Sequence, residues 1–460
     1  MKKIILALAL LLSTVTMNAQ IFRGGYFLDG YQYRYKLNPA FDGETDFVAT
    51  VFGQSAISVK SPLALKYFLF PAADGNGMVT GFHSSVDDDV FLAPLNNKQN
   101  PLIVEQDRTL YSHGFRKDNR YHTIDATFRA GVAMNVPYDL FEFLKVGTLR
   151  RSDFDMKDLL VAGHSWLELS YGQSVKASDT FTFGARVKGL VGLSYARLRV
   201  QELTMNLSED TWELHSDMNL EIAGGGIKYG MKTKKPEEPD AKPVETDQLD
   251  LSAFDVSSFG LTKPGGIGLA IDAGVEWKPI EGLSLSAALL DLGGIKWFDS
   301  IYAKTPAVNF RYAPMGTEGQ PALNAFNCLA SIAEFTRQDV KKNSWDWITA
   351  SLIAGAEYRL PFYNRLSVGL LGMYREDNIF HWGEVRGSMN YRPWQWLSFS
   401  VSGAYNTYGW EYGASLAVHT KLLHFFIGSD SLLQEVTPQF IPIGKLNQNL
   451  AIGLGIQLSR

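Results

Sequence analysis

Cysteine is almost missing: the 460 residues hold one, Cys328, which excludes an intrachain disulfide framework and a cysteine-rich metal site. No apolar run of ~20 residues occurs, so no helix written here could span a bilayer. A basic excess is lacking too. Lys and Arg number 43 against 48 Asp and Glu, for a formal charge of -5, and nucleic-acid binding, which needs a basic footprint, is not expected. The remaining composition, 46% hydrophobic and 13% aromatic, fits a large membrane barrel as readily as a soluble two-domain enzyme.

The first nineteen positions have a recognisable order. Lys2 and Lys3 are followed by an apolar stretch from Ile4 to Leu12, then by Met17-Asn18-Ala19 before Gln20. This is the pattern of a secretory signal peptide over residues 1–19. The residue after Ala19 is Gln20 and not cysteine, so a lipid anchor at that point is not expected.

The strongest pattern lies in the last hundred residues. Leu397, Phe399, Val401, Gly403 and Tyr405 alternate with Ser398, Ser400, Ser402, Ala404 and Asn406, and Leu450, Ile452, Leu454 and Ile456 alternate with Ala451, Gly453, Gly455 and Gln457. A period of two marks strands with unlike faces. The apolar columns carry no charge. Their partners are small and polar, with Glu and Arg near strand middles, as a crowded lumen needs and a soluble surface does not. Tyr358, Tyr391 and Trp396 at one set of strand ends, and Tyr374, Trp382, Tyr405, Trp410 and Tyr412 at the other, suit two membrane interfaces.

The chain therefore reads as all-β: a transmembrane antiparallel up-and-down β-barrel of about 14 strands, both termini periplasmic, in a bacterial outer membrane. Residues 20–45 form a periplasmic tail or plug and residues 46–460 the barrel, with long outside loops over 61–107, 135–162, 197–265, 292–346 and 429–448. Within 197–265 the charged run from Arg197 to Leu220 is expected to protrude as a hairpin. A spanning reading of it would give ~16 strands. In the strand from Thr180 to Ala196, Phe181, Val191, Leu193 and Tyr195 fall on one face and Arg186 and Lys188 on the other.

Chemistry-bearing candidates are few. His83-Ser84-Ser85 and His164-Ser165 put imidazole beside hydroxyl, but neighbours on a strand face opposite ways; no enzyme is expected. Asp87-Asp88-Asp89 lacks calcium-loop spacing, and Gly224-Gly225-Gly226 lacks the rest of a phosphate loop. No cofactor or metal is implied. The inward charges Arg186, Lys188, Asp272, Glu276, Glu357, Arg359, Glu384, Arg386 and Glu411 form either a paired ladder filling the lumen or a polar path for a solute. Mixed signs along single strands favour pairing.

Leu37-Asn38-Pro39-Ala40-Phe41 resembles the Asn-Pro-Ala element of FadL-type hydrophobic-compound channels and of related barrels in Bacteroidetes secretion systems. Pro137-Tyr138-Asp139-Leu140-Phe141-Glu142-Phe143, Asp291-Leu292-Gly293-Gly294-Ile295-Lys296-Trp297 and Phe426-Ile427-Gly428-Ser429-Asp430-Ser431-Leu432-Leu433 are similar to segments of an uncharacterised Bacteroidetes outer-membrane barrel family. The chain departs from the common terminal aromatic by ending Leu458-Ser459-Arg460. The resemblance implies a FadL-like barrel with an N-terminal plug, here Asn38, Pro39 and Phe41, and passive transport of a hydrophobic or small solute. The partners expected are outer-membrane lipid, such a small molecule, and other envelope proteins. The alternative is a non-transporting barrel serving as a docking or accessory subunit of a secretion or surface-assembly complex.

Overall fold

The computed structural model describes residues 22–50, 53–72, 77–208, 212–224, 228–234, 244–255, 264–305, 308–312, 334–338, 342–376, 381–432 and 444–458. The expected signal peptide, much of the expected 292–346 loop, and Cys328 lie outside them.

The strands are β1 (Asp46–Thr50), β2 (Ser55–Lys60), β3 (Leu69–Pro71), β4 (Met78–Thr80), β5 (Gln99–Lys117), β6 (Arg120–Pro137), β7 (Asp153–Asp155), β8 (Leu160–Lys176), β9 (Phe181–Leu207), β10 (Trp212–Gly224), β11 (Lys228–Lys234), β12 (Val244–Asp255), β13 (Gly266–Ile280), β14 (Leu283–Lys304), β15 (Val308–Tyr312), β16 (Thr336–Arg337), β17 (Lys342–Trp347), β18 (Ala350–Arg359), β19 (Leu366–Glu376), β20 (His381–Trp394), β21 (Leu397–Asn406), β22 (Gly409–His419), β23 (Leu423–Ser429) and β24 (Gln448–Leu458). Two short helices, Asp88–Leu92 and Tyr138–Val146, sit in the long connections.

The wall closes because β1 and β2, two pieces of one strand position, each pair with β24 on one side and β5 on the other. Going round, β5, β6, β8, β9, β13, β14 and β18 through β24 complete a closed 14-strand antiparallel barrel. The alternation in the sequence becomes an alternation of exposure. On β13, Ile267, Leu269 and Ile271 are outside, while Ala270 and Asp272 are buried inside. A closed barrel satisfies every backbone pair between strands, so its outer face can be wholly apolar and meet lipid.

Several strands run past the membrane band into stretches expected to be loop. β5 begins at Gln99, inside the expected 61–107 loop, although Pro101 cannot donate to a ladder. It is tolerated because the β2 pairing ends at Ile103, leaving β5 only β6 as a neighbour there. β9 extends to Leu207 and pairs with β10, so the charged Arg197–Leu220 run is an extension of the wall beyond the fourteen positions. β10 and β13 share one position between β9 and β14: Gly224 faces Ser194, and Gly266 faces Gly192. The chain thus leaves the wall after Gly224, makes the β11–β12 hairpin, and re-enters at Gly266.

Two expected facings are corrected. Leu193 and Tyr195 are buried inside, because a bulge at Leu193 (Ser165 opposite Ser194, Trp166 opposite Gly192) inserts one residue and exchanges the faces of β9. Trp382 also points inward and is 3% exposed, so it does not belong to an aromatic rim. Above the long-connection end, Phe91, Phe141, Leu92 and Val146 pack one cap, and Phe143, Phe154, Met205 and Leu214 pack another.

Candidate functional site

The inner face is small and polar because something else occupies the lumen. Residues 22–45 lie inside the barrel, entering beside β1 at the short-turn end. Two 3-10 turns, Arg23–Gly25 and Gln32–Lys36, coil the segment, and Phe22, Tyr26 and Leu28 are fully buried. Tyr31 packs edge-on against Phe426 at 4.7 Å and Phe22 at 5.5 Å. Tyr33 meets Phe47 at 5.8 Å.

Inward glycines receive this segment. A side chain at Gly184 would overlap the Pro39 carbonyl, and one at Gly274 would overlap the Asn38 amide. Gly355 and Gly369 make the same room for Phe27, and Gly428 for Phe22. Asn38 turns on itself, its Oδ1 accepting from the Ala40 N–H at 2.9 Å, and its Nδ2 donates to the Val275 and Ala287 carbonyls at 3.1 and 3.3 Å. Phe41 lies edge-on to Tyr26 at 5.0 Å with the Arg34 guanidinium 4.5 Å above its ring. The seating contacts are therefore mostly hydrogen bonds and ring edges.

Around and above the segment lie layers of buried ion pairs. In one, Arg386 meets Glu384 at 2.7 Å and Glu411 at 3.1 Å. Arg23 joins the same two carboxylates at 3.2 and 3.4 Å, and Asp430 accepts from the Gly24 N–H at 2.6 Å. A second layer is legible along β9, whose inward residues climb the lumen in steps of about 6.6 Å. Gly184 touches Pro39. Next, Arg186 pairs with Asp125 at 2.8 Å, and Lys188 with Asp272 at 2.7 Å and Asp291 at 2.5 Å. Arg129 ties Asp291, Glu168 and Asp107 to that layer at 3.0, 3.2 and 3.5 Å. In a third layer Glu105 holds Lys60 at 2.9 Å and Arg375 at 3.0 Å, and Trp382 lies between Arg23 and Lys60.

Above Lys188 the character changes. Leu190, Trp166, Ile295, Trp297 and Tyr195 form an apolar, aromatic layer, with Tyr195 stacked on Trp297 at 5.3 Å. Over it is a small recess of about 30 Å³ bounded by Ile103, Ala133, Ala162, His164, Tyr195 and Arg197, with Asp346 paired to Arg197 at 2.8 Å.

Of the nine inward charges expected from sequence, Arg186, Lys188, Asp272, Glu384, Arg386 and Glu411 fall in the buried layers. Glu276, Glu357 and Arg359 instead border a recess of about 490 Å³ at the short-turn end, beside Asp29 and Arg34. There Glu276 accepts from Ser284, Glu357 from Ser367, and Arg359 pairs with Asp29 at 3.0 Å. Sequence reasoning missed Arg23, Arg129, Asp125, Glu168, Asp291 and Asp430. Asp125 and Arg129 alternate with Ile124, Ala126 and Phe128, so the period of two could have found them. Asp291 and Asp430 stand where strand and loop meet, and carried no such signal.

The other candidates are local. His83 Nδ1 meets Ser85 Oγ at 2.8 Å within one turn of the cap, and the His164 ring lies 4.9 Å from Trp166. Asp87 caps the Asp88–Leu92 helix, accepting from the Asp89 and Val90 N–H groups, while Asp88 pairs with Lys145 and Asp89 with Arg150.

A family model described as a family of unknown function (DUF5723) matches residues 39–430. No match is found among curated proteins. Among solved structures, the toluene transporter TbuX of Ralstonia pickettii is similar over 94% of this chain and 100% of its own, at 9% identity and a TM-score of 0.45. The Pseudomonas putida toluene transporter TodX is similar over 93% and 92%, at 9% identity and 0.41. A Pseudomonas aeruginosa FadL homologue is similar over 94% and 95%, at 12% identity and 0.38.

Proposed function

The chain belongs to the DUF5723 family, whose name assigns no activity, and we propose that it is an outer-membrane transport barrel closed by its own N-terminal segment. Residues 22–45 are the plug, and Asn38, Pro39 and Phe41 hold its elbow against β9, β13 and β14. The observation that carries this reading is the glycine seat: inward positions of several strands give up their side chains to one segment that the wall does not need for closure. A barrel built only as a scaffold could fill those positions with its own side chains at less entropic cost. The aromatic layer above Lys188 supports a small solute with an apolar body, which passes only once the plug yields, because the recess over that layer, about 30 Å³, has room for little more than a water. Transport is passive.

A non-transporting accessory barrel is the second reading, and the ionic layers support it, since buried pairs stiffen a lumen that need never open. Solute flux into proteoliposomes separates the two. Gly184→Leu, which leaves no room for the Pro39 carbonyl, and a chain lacking residues 22–41 are both expected to raise the flux of small aromatic solutes well above that of the unaltered protein. Folded, heat-modifiable variants with unchanged flux would leave the accessory reading standing.

A further inference from the structure

Where the N-terminal segment leaves the lumen, both of its bends rest on a pair of histidines. His419 ends β22 and His424 lies near the start of β23. Their rings stack at 5.9 Å with 12° between planes. A side chain at Gly30, in the first bend, would overlap the His419 ring. In the second bend, Glu44 lies 3.5 Å from His419 Nε2, and Thr45 Oγ1 is 3.5 Å from His424 Nε2. Arg392 of β20 binds Glu44 through two bonds, at 2.8 and 2.9 Å, and approaches His419 Nε2 at 2.9 Å.

That last contact fixes a protonation state. A guanidinium can only donate, so His419 Nε2 must accept, and the ring in this seat is neutral with its proton on Nδ1. We propose that the His419–His424 pair is an acid-sensitive latch: proton uptake by these rings unseats residues 22–45. This rests on the reading of that segment as the plug.

The charges facing the pair come from each neighbouring element. Glu44 and Asp29 are on the segment, Arg392 is on β20, and Gln457 of β24 borders His424. Glu44 is already engaged by Arg392, and Asp29 by Arg359 at 3.0 Å. A proton on His419 therefore turns an accepted hydrogen bond into an N–H facing an N–H, and sets its charge beside Arg392 and His424. Glu44, with its side chain 44% exposed, is too well solvated to offset both. The sign follows. Freed, each imidazole titrates near its ordinary value of about 6.5; seated, it resists protonation. The seat is at full strength above about pH 6.5 and weakens as pH falls below that value.

The test is hydrogen–deuterium exchange of peptides within 22–45 in the full chain in lipid, corrected for intrinsic rates, at pH 7.5 and 5. In the unaltered protein, protection is expected to fall on the order of tenfold. In His419→Gln/His424→Gln, where nothing titrates in this range at the latch, the fall should shrink to under about twofold. An equal fall in both proteins, or none in the unaltered one, overturns the latch. If the double variant does not assemble, His424→Gln alone decides, since its ring does not touch Arg392. A reduced pH response supports the proposal and an unchanged one sinks it. Exchange reads seating without any solute, so an acid response in a barrel that passes nothing would defeat the transport reading and leave the latch standing.

Discussion

The wall from β18 to β24 and the wall from β8 to β14 bound one lumen in different ways. The first uses strands of 7 to 14 residues and keeps one face outward throughout, with a register shift only beside the Tyr391–Trp394 turn. The second uses β9 with 27 residues and β14 with 22. It is bulged at Leu193, shifted between Ile271 and Ala273, and carries Asp291 at a positive φ of 59°. Regularity lets the first wall seat the start of the segment, its glycines receiving Phe22 and Phe27, while Gly184 and Gly274 of the second seat the Asn38–Pro39 elbow. Irregularity lets the second rise past the membrane, turn Tyr195 inward, and aim the Asp291 carboxylate at Lys188 and Arg129.

The largest effect should come from the irregular wall. Lys188→Met leaves Asp272, which is 1% exposed, without its paired cation, and truncating one partner of a buried pair costs about 3–5 kcal/mol. The urea midpoint of unfolding from vesicles should fall accordingly, and adding Asp272→Asn should recover part of the loss. A change below 1 kcal/mol would mean that the layer is hydrated, erasing the contrast with the outer face.

The regular wall is tested on that outer face. Val385 is 57% exposed at the middle of β20, toward lipid. Val385→Arg should cost about 2–4 kcal/mol, the range for a cation at the bilayer midplane. The same measurement on the inward neighbour, Ser388→Arg, separates lipid exposure from crowding by the segment.

How much could be read in advance follows this division. In β18 to β24 the facings were legible because the strands keep their parity, apart from the last three residues of β20, and a two-residue period is then a statement about the bilayer. The fourteen wall positions were countable because the short-turn end carries compact polar turns such as Arg116 to Asn119. Leu193 defeated the pattern, since one inserted residue moves every later side chain to the other face, and nothing in Val191-Gly192-Leu193-Ser194 marks where. Trp382 looked like a rim aromatic by type, and its inward role depends on two cations, Arg23 and Lys60, from distant parts of the chain. At the site, the richness of the inner face in Gly, Ala and Ser signalled crowding. That the crowding agent was residues 22–45 required the contacts of Asn38 with β13 and β14.

Glycines sharpen the comparison at smaller scale. Gly274 on β13 abuts Asn38, whereas nothing lies within 4 Å of a side chain placed on Gly387 of β20. Gly274→Leu should cost about 1–3 kcal/mol by overpacking and release the segment to exchange. Gly387→Leu, pointing into lipid, should change stability by no more than about 0.5 kcal/mol. If both behave alike, the glycines do not form a seat.

The smallest effect is expected where the segment joins the irregular half of the barrel. Asp42 pairs with Arg116 at 2.6 Å and Lys176 at 3.3 Å, outside the membrane band. Partial burial disfavours its charge, yet the hydrogen bond and charge of Arg116, with Lys176, outweigh that and hold its carboxyl below the usual range. A depressed carboxylate contributes stability above its unfolded value, about 3.9, and loses it as pH falls through the folded value. Asp42→Asn should therefore cost less than about 1 kcal/mol at pH 7, as partly exposed pairs do, and progressively less as pH falls below about 3.9 and through the folded value. The acid response of the His419–His424 latch begins near pH 6.5, well above this window. An Asp42→Asn variant that still loosens between pH 7 and 5 keeps the two contacts separate. Loss of that response would move the acid-sensitive element from the regular wall to the irregular one.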